Sequence, residues 1–231
     1  MTPSDAASAR GVTRLCHFTP SLNLPHMLRD GHIRPTGDLS ADVRACYNPT
    51  DLARLDGHSD CVCCSIEYPN AHYLARARQS GRLQHFPDWI VLLLAVDLID
   101  RPGALFSPRN AAAGYGAHLR PAVDGLERCY AGEVTGARGY TFTRGECHLS
   151  ACPTDEQAEV LIPGAIALSE VGGVVVSATS QARDELARLR IVDLSLGDIP
   201  VLVGPTFFDR AALSRSIRGG ARPAEQPWEA N

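Results

Sequence analysis

The chain reads as an α+β fold, and three observations lead there. The apolar segments are short and β-prone, the helical segments between them are also short, and the two do not alternate in the regular strand–helix–strand rhythm of a parallel α/β sheet. There is no internal repeat, no Walker A sequence and no G-x-G-x-x-G.

Taken in order, residues 1–11 are Ala- and Ser-rich and read as a loose tail. Residues 12–19 form a short strand ending in His17-Phe18-Thr19-Pro20. Ser21 is a candidate N-cap for a helix over 22–30, with Leu22, Leu24, Met27 and Leu28 near helical spacing and Gly31 as its stop. Pro25 falls in the first turn, where its missing donor is harmless. Residues 35–50 are a polar loop, and 51–55 one helical turn. Residues 61–68 are strand-like, and 70–78 helical. Residues 89–96 are a near-continuous apolar run, as expected of a fully buried central strand. A helix follows over 123–130, then a Gly- and Thr-rich loop over 131–150, long enough to suggest function. Strands are expected at 165–168, 174–176, 191–196 and 201–203, with a helix over 181–188 capped by Ser180. A short helix after Phe208 and a tail complete the chain. One domain over 12–210 is expected, with flexible tails at 1–11 and 211–231.

At 231 residues, 45 % hydrophobic and 21 % charged, the composition is that of a globular protein with one sizeable core. The apolar runs fall well short of the ~18 residues a membrane helix needs. No basic segment followed by an apolar block opens the chain, so a cytoplasmic location without membrane contact is expected. The net charge is −4, and all 22 basic residues are Arg. A negative total argues against a nonspecific nucleic-acid coat but permits a local basic groove, for which the planar Arg fork is well suited. The eight cysteines, Cys16, Cys46, Cys61, Cys63, Cys64, Cys129, Cys147 and Cys152, are expected to be reduced and buried. His58 near Cys61, Cys63 and Cys64 suggests zinc, but C-x-C-C lacks the usual C-x₂-C pairs, and the segment reads better as a buried strand. No metal is expected.

The most informative stretch runs from Thr154 to Gly164, where Asp155, Glu156, Gln157 and Glu159 lead into an apolar segment closed by Pro163 and Gly164. A carboxylate at the mouth of a buried strand is costly to desolvate. Strand alternation puts Gln157 and Glu159 on one face. Alone, the stretch reads more simply as an acidic turn before a core strand, with Asp155 and Glu156 solvated.

Other motifs change that reading. Leu15-Cys16-His17-Phe18-Thr19-Pro20 is followed by Asn23-Leu24-Pro25, then Tyr68-Pro69-Asn70-Ala71, Phe86-Pro87-Asp88-Trp89, Ser107-Pro108-Arg109-Asn110-Ala111-Ala112 and Glu156-Gln157-Ala158-Glu159-Val160. In this order they resemble the DarT-type DNA ADP-ribosyltransferases over most of residues 12–195. The resemblance implies an ADP-ribosyltransferase fold, with a split, mostly antiparallel β core, surrounding helices and NAD⁺ as substrate in a central cleft. It implies transfer of ADP-ribose to a base of single-stranded DNA by the toxin of a toxin–antitoxin pair, whose antitoxin carries an ADP-ribosyl-removing domain.

By the same resemblance His17, Phe18, Thr19 and Asn23 bind the cofactor end of the site. Glu159 stabilises the cationic sugar left by nicotinamide and deprotonates the acceptor nitrogen, in chemistry like that of glycoside cleavage. Arg54 is the candidate arginine for NAD⁺ phosphate and acceptor, with Arg44 as its alternative. Tyr115 is placed to stack a base, and Arg109, His118 and Gln157 to meet the acceptor strand. Asn110 reads equally well as a turn cap. His72, Tyr73, Arg76 and Arg78 read as an exposed helix face or a nucleic-acid edge, the former favoured. The Cys-rich segment 57–64 and the 133–149 loop depart from the thymidine-modifying pattern, so thymine and guanine both stand as acceptors. Transfer to RNA or protein, and a noncatalytic NAD-binding module, remain the competing readings.

Overall fold

A computed structural model of the chain describes residues 1–40, 50, 53–80, 83, 85–136 and 139–229. Arg44 and Cys46 lie outside the described residues, as do residues 51 and 52 of the expected helical turn at 51–55, whose described residues 53–55 are not helical.

Among the described residues the core is a nine-stranded sheet in the order β13-β12-β11-β4-β1-β3-β9-β5-β6. Its strands are β1 (Leu15–Pro20), β3 (Cys61–Ile66), β4 (Trp89–Leu94), β5 (Leu105–Ser107), β6 (Arg120–Pro121), β9 (Glu159–Pro163), β11 (Val171–Val176), β12 (Val201–Val203) and β13 (Gln226–Pro227). Every pairing is antiparallel except β11 with β12. Short pairs β2 (His32–Ile33) with β10 (Ile166–Ala167), and β7 (Glu133–Thr135) with β8 (Thr141–Thr143), stand apart. The α+β, mostly antiparallel expectation holds.

β4 lies between β1 and β11 with all six residues buried, as its unbroken Trp-Ile-Val-Leu-Leu-Leu run predicts. Along the strands alternate residues enter different cores. Leu15, Cys64, Ile90, Leu92, Val160 and Val174 join the larger one. Helices α1 (Pro3–Ala9), α2 (Leu24–Asp30), α4 (Ala122–Cys129) and α5 (Thr179–Ile191) cover it with Ala7, Met27, Leu126 and Leu189. Cys16, Phe18, Trp89, Val91 and Val175 turn to the other face, where α3 (Ala71–Arg78) and α6 (Arg210–Arg218) bring Leu74, Leu213 and Ile217. Both ends of the sheet are two-residue strands containing a proline, β6 with Pro121 and β13 with Pro227.

Local chemistry explains the helix limits. Gly31, at φ 73°, closes α2 in the left-handed region, as its position predicts. The Asn70 side chain caps α3 by accepting from the Tyr73 amide at 2.9 Å.

Several expectations are corrected. Residues 3–9 are not a loose tail. Thr2 and Asp5 form a reciprocal capping box, and Ala6 and Ala7 are buried. The described part of the expected C-terminal tail, residues 211–229, is not loose either. Asp209 caps α6, Arg222 pairs with Glu67 at 2.9 Å, and β13 pairs with β12. Residues 131–150 contain the β7–β8 hairpin rather than a plain loop. Residues 191–196 are not a strand, because α5 runs on to Ile191 and turns. Ser21 opens a single 3₁₀ turn before α2 rather than capping it, and Ser180 lies inside α5. Cys147 is exposed and Cys63 half-buried, whereas Cys16, Cys61, Cys64, Cys129 and Cys152 are buried. Because α6 buries Leu213 against the sheet, Leu213→Ala should cost about 2 kcal/mol of stability in urea unfolding. That is the low end for a Leu truncation, since a terminal helix can shift into the gap.

Candidate active site at the fork of the sheet

β1 and β3 pair only at Leu15↔Ile66 and Cys16↔Ser65. Beyond Cys16, β1 stays with β4 as far as Pro20↔Trp89, while β3 stays with β9 as far as Cys61↔Pro163. The sheet therefore forks. His17 is the first residue past the last rung, and its Nδ1 bridges to the Cys63 carbonyl at 2.8 Å. A carbonyl only accepts, so Nδ1 carries the proton. Burial, aided by the Arg54 charge, holds the His17 pKa below its usual value. The ring is neutral, with Nε2 as an acceptor.

Glu159 opens β9 directly opposite Ser65 on one side and Ser107 on the other. Cys16, Ser65, Glu159 and Ser107 thus form one row across four strands. The carboxylate is 7 % exposed. Its Oε1 accepts from Asn110 Nδ2 at 2.9 Å and from Asn70 Nδ2 at 3.4 Å, and its Oε2 accepts from the Ala111 amide at 2.8 Å. Burial raises its pKa to about 7, with nearby Asp56 adding to the rise against the pull of these donors. Asn70 and Asn110 were legible only as turn and cap residues. Each lies near Glu159 because a loop returns to it, which sequence spacing does not reveal.

Arg54 and Asp56 form a buried pair beside this carboxylate, with side chains 8 % and 3 % exposed and 3.1 Å between Nη2 and Oδ2. Arg54 Nη1 also donates to the Cys61 carbonyl at 2.7 Å, and Asp56 Oδ1 accepts from the His58 amide at 2.8 Å. Asp56 was missed in the sequence. The loop carrying Tyr115 packs on it so closely that a Cβ at Gly116 would lie 2.5 Å from the Asp56 carbonyl. Arg54 and Tyr115 both have positive φ, 39° and 54°, a strained conformation that clusters at functional sites.

Tyr115 is 78 % exposed at the tip of its loop. Behind it Arg109 binds His118 Nε2 and, at 2.8 Å, the Thr135 carbonyl of the hairpin. Burial and the charges of Arg109, Arg128 and Arg120 keep His118 below its usual pKa, so it accepts from Arg109 as a neutral ring. Thr19 and Asn23 are buried together, with Nδ2 donating to Oγ1 at 2.8 Å. Phe18 packs edge-on against Tyr73, with ring centres 5.9 Å apart, and beside Trp89.

Two site expectations are corrected. Gln157 does not share a strand face with Glu159, because β9 begins at Glu159. Gln157 lies in a turn whose amides are held by Asp155, to Oδ1 at 2.9 Å from Gln157 and to the carbonyl at 2.9 Å from Ala158. Asp155 and Glu156 are not solvated. Asp155 is 1 % exposed, and Glu156 binds Arg218 and Ser214, each at 2.8 Å. His58, Asp60 and Cys61 bring ligand-type atoms within 4.8 Å of one another, and burial with Asp60 beside it pushes the Cys61 thiol up to about 11.

The sheet is thus forked near its centre, with a buried carboxylate held at the fork and a neutral His across it. The sequence model for "ssDNA thymidine ADP-ribosyltransferase, DarT" matches residues 16–208. The chain belongs to the DarT family. Among solved structures it is similar to Thermus sp. 2.9 DarT in complex with ADP-ribosylated ssDNA, with a TM-score of 0.55, 14 % identity, and 86 % of this chain and 97 % of that one covered. It is similar to the same protein in complex with NAD⁺, at 0.54 and 15 % over 85 % and 98 %. It is also similar to Thermosipho africanus DarTG in complex with ADP-ribose, at 0.56 and 16 %, covering 85 % of this chain and 51 % of that one. The chain thus spans about half the length of the Thermosipho chain. At these identities the likenesses speak for the fold. No curated protein matches. Among the described residues no helix is long and apolar enough to cross a membrane.

Proposed function

We propose that this chain transfers ADP-ribose from NAD⁺ to a thymine of single-stranded DNA, with Glu159 as the general base. One observation carries the reading. Glu159, held by Asn70, Asn110 and the Ala111 amide, has its pKa raised to about 7, so it exchanges protons at neutral pH.

The polar groups at the fork suit a nucleotide. Ser107 Oγ, fully buried beside Glu159, has no hydrogen-bond partner among the described residues. Glu159 Oε2 has spare lone pairs, and His17 Nε2 accepts. These groups suit ribose hydroxyls and an amide N–H. NAD⁺ supplies the ADP-ribosyl group, with nicotinamide as the leaving group. Glu159 takes the proton from the ring N–H of thymine, the only N–H that base has in DNA. The sugar–nicotinamide bond breaks, the sugar–nitrogen bond forms, and neutral nicotinamide departs. Thr19 and Asn23 shape the cofactor end, and Phe18 fixes the strand beneath. Arg54, oriented by Asp56, meets phosphate. Arg109 and His118 brace the loop that presents Tyr115.

Tyr115 acts as the base-stacking platform. Tyr115→Ala should weaken single-strand affinity by about 1–3 kcal/mol, read as a raised KM for an oligonucleotide with far less change for NAD⁺. In this reading the enzyme is the cytoplasmic toxin of a pair whose antitoxin removes ADP-ribose, a role that membership of the DarT family supports. Mass spectrometry of nucleosides from DNA incubated with protein and NAD⁺ tests the reaction. An ADP-ribosylated thymidine, absent with Glu159→Gln, is the expected result. Label lost to RNase or protease instead of DNase would overturn DNA as the acceptor.

A further inference from the structure

We propose that α6 and His72 of α3 form a phosphate-binding cleft for the acceptor strand, next to the nucleotide that is modified. This rests on the single-stranded DNA reading above. A cavity of about 700 Å³ is lined by His72, Arg210, Ser214, Arg215 and Arg218. Arg218 is committed to Glu156 at 2.8 Å, and His72 stands 3.6 Å from the same carboxylate. Asp209 is committed to the Ala211 and Ala212 amides. Arg210 and Arg215 are exposed and make no ion pair among the described residues. Three guanidinium groups and, among the described residues, no carboxylate line the cleft, with Glu156 and the buried Asp155 behind His72, in a chain whose total is −4.

Its position suits a polynucleotide. Glu156, which anchors α6, precedes Glu159 by three residues, a chain length of at most ~10 Å. His72 follows Asn70, which touches Glu159, by two. Arg218 also lies over the Phe142 ring of the β7–β8 hairpin, 5.9 Å from its centre, while the other side of that hairpin accepts from Arg109. A continuous surface therefore runs from the Tyr115 loop across the hairpin to the cleft. Residues 210–218 lie beyond the part of the chain that the family's sequence model matches.

The test is Arg210→Ala/Arg215→Ala, with modification measured on oligonucleotides of increasing length around one acceptor and over a range of salt. Both side chains are exposed and outside these ion pairs, so the variant should fold, and its melting curve checks this. For long oligonucleotides KM should rise roughly tenfold near 0.15 M salt. The slope of log(kcat/KM) against log salt should become shallower by about 1.4, from ~0.7 per phosphate contact. Oligonucleotides too short to reach the cleft should lose the dependence on the two arginines. Charge reversal, Arg215→Glu, should enlarge the length-dependent effect. Unshifted KM and salt slope on long DNA that the wild type modifies would overturn the cleft alone. Failure of the wild type to modify any DNA would overturn both readings.

Discussion

Replacing Glu159 with Gln should lower kcat/KM for DNA modification by about 10²–10⁴-fold, the typical contribution of a positioned general base. Gln keeps the volume but cannot take the proton. In the wild type, kcat/KM should rise with pH at unit slope through about 7 and then level off, because the carboxylate is the competent form. The same group links pH to stability. Its pKa rises from about 4.5 to about 7 on folding, so the folded state holds the extra proton between those values. The contribution is fully present below about 4.5 and is lost as pH rises through 7. A tenfold difference in proton affinity is worth ~1.4 kcal/mol, so from pH 4.5 to 8 the wild type should lose roughly 3 kcal/mol relative to Glu159→Gln. Urea titrations of the two proteins at both pH values measure the difference. A constant difference would mean that Glu159 is ionised throughout and is not tuned as a base.

Arg54→Ala should destabilise the fold by about 3–5 kcal/mol, since it strands Asp56, 3 % exposed, without its cation. Removing both partners, Arg54→Ala with Asp56→Ala, should recover much of that loss, because the unpaired charge is gone. Activity should not recover with it if Arg54 meets NAD⁺ phosphate. Chemical denaturation gives the first quantity and NAD⁺ affinity the second. Stability and affinity recovering together would reduce Arg54 to a structural role.

Much of this architecture was legible because local signals and the tertiary answer agree. The Trp89 run is apolar on both sides and becomes a fully buried inner strand. Gly31 stops a helix because only the left-handed turn is left there. The terminal helices were also written locally, in the Thr2–Asp5 capping box and in Asp209 ahead of Leu213 and Ile217 at helical spacing. Composition obscured them, since Ala- and Arg-rich ends resemble tails. The site was legible in part. Glu159 and His17, each weak alone, were singled out through the ordered set of motifs that carries the family resemblance. Asn70, Asn110 and Asp56 were not, because such residues are ordinary in turns, and only the returning loops bring them to Glu159. Gln157 was misplaced by applying strand alternation before the strand begins, where Asp155 holds a turn instead.

The two ends of the main sheet bear on how a protein inhibitor can grip this enzyme. Each outermost strand is two residues long and carries a proline, Pro121 at one end and Pro227 at the other. A proline has no N–H to offer, and two residues make too short a template for a visiting strand. Backbone-to-backbone capture of an extended peptide is thereby closed at both margins. If the chain has the antitoxin proposed above, recognition falls to side chains, which the exposed Tyr115 loop and the arginines of α6 offer.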